Sequence, residues 1–242
     1  MQNTIDLIVL SGAFILLVGY SLSALIFLSY FKSKSRQTFA LGITILSASS
    51  SWLGSVLSYV SLVATGSALP DSIYLFLFSW GVGIAFPGII YVTVSILSPE
   101  RTLAFTFPAI ALALVYFSLI YVLYPIGVLD LSAIIKITNI AGIQESAFVG
   151  FSLLYALITI LMGVIFGLFL VCYGLQSSIP SLRFRGLFMG AGLIVFALAS
   201  VLDATLENSN QNLPILIIDR LLVALGLIML TVGLIRGKES RS

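Results

Sequence analysis

Charged residues are scarce in this chain of 242 residues, where they make up only 8% of the sequence. A soluble domain carries about 25% charged residues, so this chain has too few to cover a globule with polar surface. Hydrophobic residues make up 60% of it, and the mean hydropathy is +1.19. The composition therefore predicts an integral membrane protein, with membrane lipids as its immediate partners.

Histidine is absent and cysteine occurs once, at Cys172. A zinc or haem site built from His and Cys cannot form without those residues, and we predict no metal and no cofactor. A Ser–His or Cys–His catalytic pair is excluded for the same reason, so an enzyme is the least favoured class. The net charge of +2, without a dense basic cluster, gives no sign of a nucleic-acid partner.

Seven apolar stretches are long enough to cross a bilayer, which takes about 20 residues per helix. We therefore predict an all-α fold, with residues 1–242 forming a single seven-helix transmembrane domain. The connections are short except for 125–147, whose apolar centre predicts a short amphipathic helix or a hairpin on the outer surface. The predicted spans cover approximately residues 5–31, 38–65, 72–97, 103–124, 148–173, 185–207 and 213–235.

Basic residues collect on one side of the predicted spans. Of the 11 Lys and Arg residues, only Lys136 and Arg220 do not lie there. The positive-inside rule then places the N-terminus outside and the C-terminus inside, with 236–242 as a short cytoplasmic tail. We expect the cell membrane as the location. The cytoplasmic loops are also the predicted contact for any protein partner.

Two segments of the sequence, 30–46 and 173–195, resemble each other. Each runs from a tyrosine through a basic, serine-containing loop into a helix with small residues. A parallel repeat would give this pattern, and with it an arrangement of three helices, a linker helix and three more. Basic residues collect in short cytoplasmic loops in any case, and we favour that plainer explanation.

Small residues form faces on several predicted helices. Helix 5 carries GVIFG at 163–167, and helix 2 spaces Ser47, Ser51, Ser55 and Ser58 three or four residues apart. Such faces let neighbouring backbones approach closely. We interpret them as packing within the chain, with a homo-oligomer seam as the alternative.

Pro87 lies near the middle of the third predicted span, among Gly81, Gly83 and Gly88. A proline removes a backbone hydrogen bond and kinks a helix, and many transporters build a binding site at such a break. We favour an ordinary structural kink, because proline and glycine are common in membrane helices.

Four ionisable residues lie in the outer parts of the last two predicted spans: Asp203, Glu207, Asp219 and Arg220. At 1.5 Å per residue, Asp203 lies about 27 Å above Arg185, and Arg220 about 24 Å above Arg236. Asp203 and Arg220 therefore share a level in the outer part of the membrane, where an ion pair is geometrically natural. Glu207 follows Asp203 on the same face, whereas Asp219 is rotated by about 100° from Arg220. We expect these charges to be partly hydrated.

Aromatic residues are predicted to surround this charged cluster in the outer half of the bundle. Trp52, Trp80, Tyr59 and Tyr74 all fall at that level. Together with the charges they would form a pocket for a small molecule or lipid. The alternative is an interfacial aromatic belt beside a structural salt bridge, which we favour slightly.

The predicted topology resembles that of microbial rhodopsins, which have seven helices, short loops and an external N-terminus. That resemblance would imply a retinal bound to a lysine in the middle of helix 7, but residues 219–237 contain no lysine. The four lysines lie outside the spans, so a retinal Schiff base cannot form. The arrangement of three, one and three helices is also similar to SWEET-type sugar transporters, but their set of matched prolines is lacking.

Three classes of function agree with these features. We favour a receptor-like or sensory module, which binds a small molecule or lipid in the outer half of the bundle and signals through a separate partner, without retinal. A small-solute transporter is the first alternative, suggested by Pro87 and the two similar segments. An accessory or structural subunit of a membrane complex is the second, suggested by the small-residue faces.

Overall fold

The computed structural model describes residues 2–130, 135–140, 143–206 and 213–239, and over these residues the protein is a bundle of helices. Eight α-helices and one two-stranded hairpin follow each other along the chain. Their bounds are α1 (Gln2–Ser33), α2 (Arg36–Ser50), α3 (Leu53–Thr65), α4 (Asp71–Leu97), α5 (Thr102–Ser118), β1 (Ile135–Ile140), β2 (Ile143–Phe148), α6 (Gly150–Gln176), α7 (Pro180–Leu206) and α8 (Leu213–Glu239).

Five of these helices are long and apolar enough to cross a membrane, and α5 is so together with the short helical turns that extend it to Pro99–Leu123; these six spans become seven if the bent pair α2–α3 is one span. Many of their large apolar side chains lie on the outside of the bundle, such as Leu17, Leu103 and Phe107, which are 69%, 77% and 74% exposed. In water such a surface would be unfavourable, whereas hydrocarbon solvates it. The apolar helices thus indicate a multi-pass membrane protein.

The second predicted span, 38–65, is wrong as a single straight helix. It is broken into α2 and α3, which meet at an angle of 44°. Two consecutive serines at the end of α2 favour the break: Ser49 Oγ donates to the carbonyl of Ile45 at 2.8 Å and Ser50 Oγ to that of Leu46 at 2.7 Å. Hydroxyls that bond back to carbonyls four residues earlier bend helices. Pro87, by contrast, lies inside α4, which continues past it as one helix.

Helix α4 packs directly against this break. A side-chain carbon added to Gly81 would lie 2.5 Å from the carbonyl oxygen of Ser47 and 2.9 Å from the amide nitrogen of Ser51. Only a glycine permits so close an approach. The break and Gly81 together turn Trp52, which lies between α2 and α3, into the interior, where it is 8% exposed.

The glycines of α6, α7 and α8 serve contacts within the chain. A side-chain carbon at Gly190 would lie 2.5 Å from the carbonyl oxygen of Gly167, and one at Gly186 would lie 2.6 Å from Cα of Gly174. The interpretation of the small-residue faces as intramolecular packing agrees with these distances. It leaves the GVIFG motif facing α7 rather than a second copy of the chain.

The segment predicted as an outer loop over 125–147 contains an antiparallel hairpin, whose strands pair Ile135 with Phe148 and Ile140 with Ile143. The hairpin was one of the two forms expected from the apolar centre of this segment. It adds two short strands to a fold expected to be all-α. Its inward-facing Gln144 is 4% exposed. The Gln144 side chain accepts from Ser58 of α3 at 3.0 Å and donates to Asp71 of α4 at 2.5 Å, so it holds the hairpin against the bundle.

Candidate functional site

Asp203 and Arg220 form a buried ion pair between α7 and α8. Arg220 Nε donates to Asp203 Oδ1 at 3.0 Å. The predicted pairing of these two residues is confirmed, but the expectation that their charges are partly hydrated is wrong. Asp203 is 6% exposed and Arg220 is 1% exposed, because α1 and the α2–α3 break cover them.

Two further elements take part in this ion pair. Trp52 Nε1 donates to Asp203 Oδ2 at 3.0 Å. Arg220 Nη1 donates to the carbonyl oxygen of Ile8 in α1 at 2.6 Å and to Ser11 Oγ at 3.1 Å. One carboxylate and one guanidinium thus join α1, the α2–α3 break, α7 and α8, and we refer to Trp52, Asp203, Arg220 and Ser11 as the polar cluster.

Asp219 is also buried, at 1% exposure, but its environment differs. Neither of its carboxylate oxygens has a hydrogen-bond partner among the described residues. This agrees with the expectation that Asp219 and Arg220, which are adjacent on the helix, face different neighbours. Glu207, the fourth charged residue predicted at this site, lies outside the described residues.

A cavity of about 120 Å³ lies beside the polar cluster, and we refer to it as the interhelical cavity. Residues of α2, α3, α4, β2, α6 and α7 contribute to its wall, which is mainly apolar and aromatic. Trp52 and Asp203 belong both to this wall and to the polar cluster. The other aromatic residues in the wall are Phe78, Phe148 and Phe196, and the other polar ones are Ser51, Ser55, Thr159 and Ser200.

The four aromatic residues predicted for the site are distributed unevenly. Trp52 lines the interhelical cavity, whereas Trp80, Tyr59 and Tyr74 are not part of its wall. Tyr74 supports the wall from behind: it is 1% exposed, its hydroxyl lies 3.4 Å from Ser55 Oγ, and its ring stacks on Phe78 at 6.4 Å. Trp80 and Tyr59 are half-buried elsewhere on α4 and α3.

Several residues of the site had not been predicted from the sequence. Phe148 comes from the hairpin, where it packs on Phe78 with ring centroids 5.4 Å apart. Thr159 and Ser200 lie on helices whose sequences show no unusual polar pattern. Ser51 and Ser55 belong to the serine face of the second predicted span, which was interpreted as a packing surface. The regular spacing of those serines was the one signal that could have indicated a cavity.

The surroundings of the site hold no candidate metal centre: no group of three or more His, Cys, Asp or Glu residues occurs among the described residues. No protein-family model matches the chain. No curated protein is significantly similar to it. The polar cluster and the interhelical cavity are therefore the features of the molecule that bear on its function.

Proposed function

We propose that this protein is a receptor-like membrane module that binds a small, mainly apolar molecule in the interhelical cavity. The observation that carries the proposal is that the cavity and the polar cluster share Trp52 and Asp203. Ligand sites are typically concave and mostly apolar, with a few polar groups that fix orientation. The interhelical cavity fits that description.

In such a module the polar cluster would couple ligand binding in the cavity to the position of α1. A ligand that contacts Asp203 would change the pairing of Asp203 with Arg220, and Arg220 also binds the backbone of α1 at Ile8. Buried polar contacts have discrete partners, so a shift at one member alters the position of the next. We propose that occupancy of the cavity is read out as a displacement of α1 relative to α7 and α8.

The proposed topology has seven spans, with the bent pair α2–α3 crossing as one. A bend of 44° lets the chain continue in the same general direction, and the two helices together reach about 40 Å. The distribution of Lys and Arg then favours an external N-terminus and an internal C-terminus in the cell membrane. In this orientation the hairpin lies outside, and the basic loops lie inside to meet a separate signalling partner.

Native mass spectrometry tests whether the cavity is a binding site. We compare the wild type with Ala156→Leu, which fills the cavity wall, and with Ala104→Leu, the same change at an exposed position of α5. A bound mass that is present in the wild type and Ala104→Leu but missing from Ala156→Leu is the expected result. The same bound masses in all three proteins would contradict a site in the cavity.

Hydrogen exchange tests the coupling. Filling the cavity in Ala156→Leu should change exchange in α1 around Ile8 and at the basic loop 32–36, which α1 leads into. Ala104→Leu should leave both regions unchanged. A change confined to α6 would indicate a binding site without signalling, and the accessory-subunit alternative would then be favoured.

A further inference from the structure

We infer that the interhelical cavity selects a neutral ligand whose apolar body ends in a hydrogen-bond donor, such as an alcohol. This inference rests on the proposed function, because it requires that the cavity is a binding site. It adds the chemical class of the ligand, which follows from the size of the cavity, from the hydrogen-bonding state of its polar residues and from their net charge.

The size of the cavity limits its occupant. Its volume is about 120 Å³, and an apolar cavity of about 150 Å³ in another protein accommodates benzene. A six-membered ring or a short chain fits a volume of this order, and any further atoms of a ligand would have to extend beyond it. The wall around that ring is supplied by aromatic and aliphatic side chains such as Phe78, Val82 and Ile89.

The polar residues of the wall mainly offer acceptors. Thr159 Oγ1 donates its proton to the carbonyl of Tyr155, and Ser200 Oγ donates to that of Phe196, each at 2.8 Å. Their hydroxyl oxygens keep lone pairs but have no second proton to give. Trp52 carries the one side-chain N–H among the described residues of the wall, and it already donates to Asp203.

The remaining polar groups of the wall do not change the excess of hydrogen-bond acceptors over donors. Asp203 offers acceptor sites, since its two carboxylate oxygens accept from Trp52 Nε1 and from Arg220 Nε. The hydroxyls of Ser51 and Ser55 can donate or accept. A ligand that brings its own donor would therefore find several partners, whereas a ligand with only acceptors would compete for two serine hydroxyls.

The charges of the site favour a neutral ligand. Asp203 is already compensated by Arg220 at 3.0 Å, and no Lys or Arg is among the described residues that line the cavity. An anion would therefore meet a carboxylate and no cation. A cation would add an uncompensated charge to a mostly apolar cavity, which is unfavourable.

The donor could belong to a free small molecule or to the end of a lipid chain. Both present the same chemistry to the cavity: an apolar body and a hydroxyl group. Two probes separate these sources, namely cyclohexylmethanol, which is compact, and 1-decanol, whose chain would have to extend between the helices towards the bilayer. Tight binding of either alcohol supports the inference, and their relative affinity identifies the source.

The experiment uses Trp52 as its own reporter. The chain has two tryptophans, so Trp80→Phe leaves Trp52 in the cavity wall as the one source of tryptophan fluorescence. The full chain in phosphatidylcholine nanodiscs is titrated with 1-decanol and with four probes that share a cyclohexyl ring: cyclohexylmethanol, its isomer methoxycyclohexane, methylcyclohexane and cyclohexanecarboxylate. Affinities are expressed relative to the concentration of each probe in the bilayer.

We expect cyclohexylmethanol to bind about tenfold more tightly than the other three cyclohexyl probes, which corresponds to about 1.4 kcal/mol, or one hydrogen bond. Methoxycyclohexane is the most informative comparison, because it has the same atoms and an acceptor oxygen but no donor. Ala156→Leu should abolish the response to all four probes. If that variant fails to fold, Thr159→Leu fills the same wall from the same helix.

The outcomes separate the inference from the proposed function. If the four probes bind equally, or if the ether or the carboxylate binds most tightly, the selection of a donor is wrong while the cavity remains a binding site. If no probe gives a response that depends on the cavity-filling variant, the proposed function fails as well. Wild-type thermal stability with each probe gives a second measurement that does not depend on Trp80→Phe.

Discussion

Helices α7 and α8 are held together in two different ways along their length. Where Gly192 faces Gly226, a side-chain carbon at Gly192 would lie 2.8 Å from the amide nitrogen of Leu230, so the backbones are in contact. Nearer the hairpin, the same helices are joined through Asp203 and Arg220. The glycine region leaves no space between helices, whereas the charged region lies beside a cavity. The two helices are thus joined by backbone contact in one region and by a buried ion pair in the other.

The difference has an energetic meaning in a membrane. Lipid is as apolar as the helices themselves, so helix association depends on close packing and on interhelical hydrogen bonds rather than on the hydrophobic effect. Close packing joins α7 to α8 in the glycine region, whereas hydrogen bonds join them in the polar cluster. Substitutions in the two regions should therefore destabilise the protein for different reasons, and a second substitution should change the loss of stability differently in each region.

The largest effect is expected from Arg220→Ala. It leaves Asp203 as a buried charge without its ion-pair partner, which costs about 3 to 5 kcal/mol. The double variant Asp203→Ala/Arg220→Ala should recover much of this loss, because it removes both charges. Unfolding in mixed micelles, followed by circular dichroism, measures all three proteins. A double variant as unstable as Arg220→Ala would show that the pair acts through packing instead.

The next effect is expected in the glycine region. Gly192→Ala places a carbon less than 3.0 Å from three atoms, two of them backbone, and should cost about 3 kcal/mol through overpacking. Gly12→Ala is the matched control, because its added carbon would meet no atom closer than 3.5 Å. The same unfolding assay should show Gly12→Ala to be neutral or slightly stabilising. Equal losses in both variants would contradict the contrast between the two regions.

A smaller effect is expected from Trp52→Phe, which removes the indole donor but leaves Asp203 paired with Arg220. The loss of a hydrogen bond to a charged group should cost about 1.5 kcal/mol. Trp80→Phe is the matched control, since Trp80 does not line the interhelical cavity. If both substitutions have the same effect on unfolding, the bond from Trp52 to Asp203 contributes nothing specific.

The smallest effect is expected at the hairpin. Gln144→Leu removes the contacts to Ser58 and Asp71, and the net loss should be about 1 kcal/mol. Global stability should change little, while hydrogen exchange in β1 and β2 should become faster. Unchanged exchange in the hairpin would show that its apolar contacts, not Gln144, hold it in place.

The helical class and the ion pair could be predicted because both depend on properties that are local in the sequence. Apolar length predicts a membrane helix, and counting residues from the basic ends placed Asp203 and Arg220 at one level. The partners on α1 could not be predicted in this way. Arg220 binds the backbone oxygen of Ile8, and a carbonyl has no signature in the sequence.

The break between α2 and α3 and the cavity were missed for a related reason. Ser49 and Ser50 bond to carbonyls within their own helix, but serines are also used for close packing between helices, so the pattern fits both. A cavity is a gap between side chains from several elements, among them Phe148 of the hairpin. Its position depends on how those elements meet, which periodicity along one helix does not specify.

The bend between α2 and α3 also bears on whether the chain crosses the membrane an odd or an even number of times. If the bent pair is one crossing, as proposed above, the described helices would cross the bilayer seven times, and α1 would begin on the side opposite to the end of α8. If the pair turned back instead, the number would be even and both ends would share a compartment. Gly81 of α4 packs against the backbone of Ser47 and Ser51 at this joint. The side of the membrane on which each later loop lies therefore depends on the path of the chain at this joint.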